Sequence, residues 1–238
     1  MPEPSDARRG WVRTEYAPFW SEQAARYGFA DAYRALAARW DREVPAQSLC
    51  LDAGIGTGFP MGLALAPRQR LAGVDLSRDL LRSARAALPP PAGRRLAQAD
   101  LANLPFRTAS FDLVYCLRSS WYVADLGRLL SELARVARPG GWIVCDFMNA
   151  AHPPVLASFL RQSAVIGLAR LRRAIRPARR SSPIPIVPVL PVSVRRARRI
   201  VAGLAVDAEW ISAEALAGEG RGAQRWGEKF FLLGRKRR

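Results

Sequence analysis

The chain has little of what most metal centres and nucleophilic active sites are built from. His152 is its single histidine, and Lys229 and Lys236 are its only lysines. Its three cysteines, Cys50, Cys116 and Cys145, show no metal-ligand spacing, and each lies in an apolar, strand-like run where a small thiol packs well. No metal site is expected, and the cysteines read as reduced, structural thiols of a cytoplasmic protein. Long hydrophobic runs are missing too. A spanning helix needs roughly 20 consecutive apolar residues, and Arg161 and Gln162 interrupt the best run, between Val155 and Ala169. Met1 to Trp20 mixes Glu3, Asp6, Arg8, Arg9, Arg13 and Glu15 with prolines, unlike a signal peptide. Acidic residues are scarce in one place above all: none occurs between Asp146 and Asp207, while eleven arginines lie from Arg161 to Arg199.

The 238 residues are half hydrophobic, enough for one domain with a full core and some elaboration. The net charge of +17 favours association with any polyanion or anionic surface. Much of the arginine excess, in a chain also rich in alanine and proline, fits a coding bias. The local asymmetry fits it less well.

From Ser48 to Phe147 short apolar runs alternate with helix-like runs, the mark of repeated βα units around a parallel sheet. Strands are expected at Ser48–Ala53, Arg70–Asp75, Arg94–Ala99, Phe111–Cys116 and Gly141–Phe147. Helices are expected at about Pro60–Ala66, at Asp79–Leu88 with Ser77 as N-cap, and at Val123–Ala137, where Leu126, Leu129, Leu130, Leu133 and Val136 repeat at helical spacing. Pro139, Gly140 and Gly141 should stop that helix at Arg138. Trp20 to Trp40 reads as mainly helical. Val155 to Ile175 reads as an amphipathic helix with Leu160, Ala164, Leu168, Leu171 and Ile175 on one face. The prolines of Ser181 to Val192 favour an extended path. Ser193 should cap a helix to about Leu204, with strands to follow at Ala205–Ile211 and Lys229–Gly234. The expected organisation is an N-terminal helical cap (1–46), a core of βα units (47–148), a basic, proline-rich lid or insert (149–192), and a C-terminal part (193–238) that completes the core.

Leu51-Asp52-Ala53-Gly54-Ile55-Gly56-Thr57-Gly58 stands where the first strand ends and a helix should begin. Its glycines permit a tight turn and let a ligand approach bare backbone. The third glycine arrives one residue early for the dinucleotide fingerprint, which weighs against NAD. Gly73-Val74-Asp75-Leu76-Ser77 then ends the second strand with an acid about 20 residues after the turn, where a carboxylate can accept ribose hydroxyls. Ala99-Asp100-Leu101 with Leu104-Pro105-Phe106, Phe111-Asp112-Leu113-Val114-Tyr115-Cys116, and Arg138-Pro139-Gly140-Gly141 follow in order. Together these motifs resemble the class I S-adenosylmethionine-dependent methyltransferases, in particular their small-molecule group. The resemblance covers Gln47 to Phe147 well and the last 45 residues loosely.

The resemblance implies a Rossmann-like α/β fold: a mostly parallel seven-stranded sheet with an antiparallel last strand and helices on both faces. It implies S-adenosyl-L-methionine as cofactor. Asp52, Gly54, Gly56 and Gly58 would turn around the amino-acid portion, Asp75 and Leu76 would meet the ribose, Asp100 and Leu101 would border the adenine, and Cys116 and Leu117 would face the cofactor and the acceptor entrance. Asp112 would be structural or ligand-contacting. A sulfonium leaves readily, so alignment of the acceptor matters more than a covalent nucleophile. His152, after the fifth strand, is the candidate general base. Tyr16, Phe19, Trp20, Trp121 and Tyr122 are candidates to roof the acceptor pocket.

Cys116-Leu117-Arg118-Ser119 lacks the Asn/Asp-Pro-Pro-aromatic signature of enzymes that methylate planar amino groups, and no Pro-Cys pair suits covalent pyrimidine chemistry. The expected partner is a small-molecule acceptor, with three uses open for the basic insert: a lid over that acceptor, peripheral contact of segment 155–180 with an anionic membrane carrying a lipid-like acceptor, or RNA binding. A cofactor-binding module without transfer activity is the non-enzyme alternative.

Overall fold

A computed structural model describes residues 30–59, 65, 69–90, 95–175, 189–218 and 227–238, with backbone alone at Ala30 and 169–175. Its centre is a seven-stranded sheet of β1 (Leu49–Ala53), β2 (Arg70–Asp75), β3 (Leu96–Gln98), β4 (Phe111–Cys116), β5 (Ala137–Met148), β6 (Val206–Ser212) and β7 (Lys229–Lys236), in the spatial order β3-β2-β1-β4-β5-β7-β6. β3, β2, β1, β4 and β5 run parallel, and β7 is antiparallel to both β5 and β6. The fold class read from the motifs is the one observed. β1, β2 and β4 are short apolar runs because helices cover both of their faces.

Helices α1 (Ala30–Glu43) and α2 (Arg78–Ala87) cover one face. Tyr33, Leu36 and Trp40 of α1 and Leu81 and Ala84 of α2 join Leu71, Leu113, Tyr115 and Phe231 in one core layer. The other face is covered by α3 (Leu126–Val136) and α5 (Val194–Ala202), whose Leu129, Leu130, Leu133, Ala197 and Val201 pack with Val114, Cys145 and Phe147. Burying each such leucine contributes about 1.5–3 kcal/mol. Between these two helices in sequence lies α4 (Pro153–Ile175), and a short α6 (Ala213–Leu216) follows β6. The caps expected at Ser77 and Ser193 are present: their hydroxyls accept the Leu80 and Arg196 amides.

Both ends of α3 differ from expectation, and β3 is shorter than expected, at Leu96–Gln98. The helix expected from Val123 starts at Leu126, because a single 3₁₀ turn, Ser120–Tyr122, comes first and Asp125 caps α3 by accepting the Arg128 amide. It ends at Val136 rather than Arg138. Ala137 already pairs with Phe111, Trp142 then pairs with Leu113, and the intervening Arg-Pro-Gly-Gly bulges out within β5 instead of lying beyond a helix end. A further difference concerns α4. Val155 is buried and Phe159 and Ile166 are half-buried, whereas Leu160 and Leu168, two of the residues expected to share an apolar face, are exposed.

Near the proline-rich stretch, Leu190 donates to the Trp121 carbonyl and Val192 to that of Met148, so the chain returns extended across the end of β5. The expected helix Pro60–Ala66 lies outside the described residues apart from Leu65, as do Trp20–Phe29 and 176–188. No described helix is long and apolar enough to cross a membrane.

Candidate active site

Strand order reverses between β1 and β4, and the carboxyl ends of these strands frame the crevice where open α/β sheets take ligands. β1 delivers Asp52 there, followed by the glycine turn. The Gly54 and Ile55 amides both donate to the Val74 carbonyl, at 2.8 and 3.0 Å, which lashes the turn to β2. Gly54, Gly56 and Gly58 have φ of 89°, 55° and 90°. Their reasons for being glycine differ. A Cβ at Gly54 would collide with the Ser119 side chain, whose hydroxyl donates to the Gly54 carbonyl at 3.1 Å. A Cβ at Gly56 would meet nothing within 4 Å among the described residues, so the turn opens on space there.

Asp75, at the end of β2, accepts the Gly56 amide on Oδ2 at 3.0 Å and the Ser77 amide on Oδ1 at 2.9 Å. One carboxylate thus ties the turn to the start of α2, and each oxygen keeps lone-pair capacity for a ligand hydroxyl. Desolvation raises its pKa against the pull of those amides. Asp52 is more strongly affected: burial pushes its carboxyl up to about 8, Asp75 adds to this, and Tyr115 opposes it. Leu76 is half-buried beside Asp75, and its carbonyl accepts the Gln98 side-chain Nε2 at 2.8 Å. Asp100 accepts the Ala102 amide at 3.0 Å in a local turn. Leu101 is buried, with its side chain toward Gly54. The structure therefore gathers Asp52, the three glycines, Asp75 and Leu101 around one turn.

Other expected residues stand differently. Asp112 lies at the opposite end of the sheet, accepting the Leu49 amide at 2.8 Å and Arg138 at 2.7 Å, so its role is structural. Cys116 ends β4 and Leu117 follows it, but both side chains are buried, Cys116 in register with Cys145. Trp121 is buried as well, with Tyr122 half-buried against it. His152 is half-buried in the turn between β5 and α4; its amide donates to the Asn149 carbonyl at 3.1 Å. Tyr16, Phe19 and Trp20 lie outside the described residues.

Motif reading missed a buried ionic group at the same sheet edge. Asp146 of β5, fully buried, accepts the Tyr33 hydroxyl at 2.6 Å and lies 3.6 Å from the Lys229 ammonium. Lys229 donates to the Tyr33 oxygen at 2.9 Å, and its ammonium lies 4.4 Å from the centre of the Trp121 ring. Burial pulls the Lys229 ammonium down to about 8, with Asp146 opposing. The other Asp146 oxygen accepts the Arg118 amide at 2.8 Å, where φ is 61°. The Ser120 hydroxyl donates to the Asp146 carbonyl. Asp146 therefore holds the 118–120 loop, and Ser119 of that loop holds Gly54. An acid inside the apolar run Ile143–Phe147 and one of only two lysines at the head of the last strand were the available signals.

The profile of the methyltransferase domain family matches residues 51–145, the stretch that carries the turn, Asp75 and β4. Residues 51–145 carry a methyltransferase domain. Demethylmenaquinone methyltransferase of Lactococcus lactis is 34% identical to the chain over 111 residues, 43% of this chain and 42% of that protein. The chain thus spans less than half of that relative's length. Among solved structures, the complex between the Haloferax volcanii Trm112 methyltransferase activator and a methyltransferase contains a chain with the same fold (TM-score 0.68, 17% identity, all of both chains covered). So does the geranyl diphosphate C-methyltransferase of Streptomyces coelicolor, solved with S-adenosyl-L-homocysteine (TM-score 0.58, 18% identity, 86% of this chain and 76% of that one). The family match ends at residue 145, before β6 and β7.

Proposed function

We propose that the chain transfers a methyl group from S-adenosylmethionine to a small, lipid-like acceptor. The observation that carries this is the Gly56 position: a positive-φ glycine facing open space, its amide held by Asp75, at the point where strand order reverses. The residues present fit the cofactor. Asp75 would accept the ribose hydroxyls, Leu76 would lie alongside, Asp100 and Leu101 would border the adenine, and Asp52 with the three glycines would enclose the amino-acid end. When bound, the cofactor supplies a methyl group on a sulfonium, a leaving group that asks for in-line alignment and dryness rather than a covalent nucleophile. In this reading residues 47–148 and 193–238 form the catalytic body, with 1–46 and 149–192 shaping the acceptor side. The names of the relatives support the acceptor class, since demethylmenaquinone and geranyl diphosphate are both small isoprenoid compounds.

Asp52 supplies a test. Below a pH of about 8 its carboxyl is protonated in the free chain. A cationic ligand favours the carboxylate, so binding releases a proton. Affinity for S-adenosylmethionine should then rise with pH up to about 8, by at most roughly tenfold per pH unit, and level off above. Calorimetric titration in two buffers of different ionisation enthalpy reads both the affinity and the proton. A well-folded chain that binds no S-adenosylmethionine would overturn the reading, and binding without pH dependence would remove Asp52 from it.

For a hydroxyl acceptor, His152 is the base this edge of the sheet offers. His152→Gln should lower transfer by about 10²–10⁴-fold and leave cofactor affinity unchanged. An unchanged rate would show that the histidine serves only the turn before α4.

A further inference from the structure

We infer that α4 is a membrane-docking helix, which lies on an anionic lipid surface with its outward face inserted. Five large hydrophobic side chains stand out as exposed among the described residues, and four of them, Leu156, Leu160, Val165 and Leu168, are on this one helix. Leu156, Leu160, Ala164 and Leu168 recur every four residues and so form a single stripe, all of it exposed. The opposite side carries Val155, Phe159, Gln162 and Ile166, which are buried or half-buried, so the helix already has an inward face. A water-soluble helix with one side against the body should show polar residues on the other. α4 shows leucine.

Charge selects the occupant. No acidic residue occurs from Phe147 to Val206, and the eleven arginines of that stretch include Arg161 on α4, which is exposed. Arg195, Arg196, Arg198 and Arg199 of α5 are exposed too. A second copy of this chain would bring the same positive charge to the contact and be repelled. An anionic bilayer offers both what the stripe needs, acyl chains at the headgroup boundary, and what the arginines need, phosphate oxygens. α4 also starts directly after β5, at the carboxyl edge of the sheet where the glycine turn opens. Docking through this helix brings that edge to the bilayer, where an acceptor with an apolar tail resides. Lipid binding itself does not depend on methyl transfer, so the docking and the proposed activity can fail separately.

The test is co-sedimentation of the full chain with vesicles of phosphatidylcholine containing about one-third phosphatidylglycerol, a strongly anionic surface. Wild type should pellet with them and stay largely in solution with pure phosphatidylcholine. Leu160→Ser/Leu168→Ser leaves the charge untouched and alters only exposed positions, so its thermal midpoint should match wild type. Its partitioning onto the anionic vesicles should fall by about tenfold or more. Partitioning equal to wild type would mean that charge alone attracts the chain, and would overturn insertion of the helix. Wild type that stays in solution with anionic vesicles would overturn docking altogether. Tighter, salt-sensitive binding to polyuridylate than to the vesicles, indifferent to the two serines, would assign the basic stretch to RNA instead.

Discussion

Gly56→Arg should leave the chain folded and weaken S-adenosylmethionine binding by about 100-fold or more, roughly 2.7 kcal/mol. Two features of the turn lead to this. A Cβ added at Gly56 meets no described atom within 4 Å, so the longer arginine side chain is expected to extend into the space that the proposed cofactor needs. Its φ of 55° is a left-handed conformation, which costs a non-glycine residue about 1–2 kcal/mol. At 2–4 °C per kcal/mol for a domain of this size, the thermal midpoint should drop by only a few degrees. Gly54→Ala is the contrasting variant. There the new methyl group collides with Ser119, the loop after β4 must move, and folding should suffer along with binding. Calorimetry for affinity and a thermal melt for integrity separate the two cases. A folded Gly56→Arg chain that binds as tightly as wild type would place the cofactor elsewhere.

Lys229→Met should destabilise the chain by about 3–5 kcal/mol, because it leaves the fully buried Asp146 carboxylate without its cation. Asp146→Leu should cost at least as much: it strands the Lys229 ammonium and removes the acceptor of the Arg118 amide and the Tyr33 hydroxyl. At 2–4 °C per kcal/mol the melt should fall by roughly 6–20 °C in either variant. The double variant Asp146→Asn/Lys229→Met should recover part of the loss, since exchanging a buried ion pair for groups without charge is often neutral while removing one partner is not. The group also reaches the glycine turn, through the Arg118 amide, Ser119 and the Gly54 carbonyl. Cofactor affinity measured well below the melting transition should therefore fall in Lys229→Met, although Lys229 would not touch the cofactor. Unchanged stability in the single variants would mean that the pair is relieved by the Tyr33 hydroxyl and Trp121 alone.

How far the sequence reached depended on whether a feature was local. Strands β2 and β4 match their expected bounds residue for residue, because apolar runs between helix-like segments have one economical arrangement, a parallel sheet covered on both faces. The glycine turn and Asp75 were legible for the same reason, since a strand end, a turn and a cap are settled by a few adjacent residues. The start of β5 was not: Pro139-Gly140-Gly141 reads as a helix stop, and only pairing with Phe111 and Leu113 turns it into a bulged strand. α4 shows the limit of periodicity, which locates an apolar stripe without saying whether the body or the solvent receives it. The Tyr33–Asp146–Lys229 group joins residues up to 196 positions apart, so no local pattern could announce it. By itself the sequence determined the βα order, the glycine turn and the charge of the insert, all of which follow from neighbouring residues. Only the tertiary structure decided which buried charges meet and which face of α4 looks outward, because both depend on how distant elements pack.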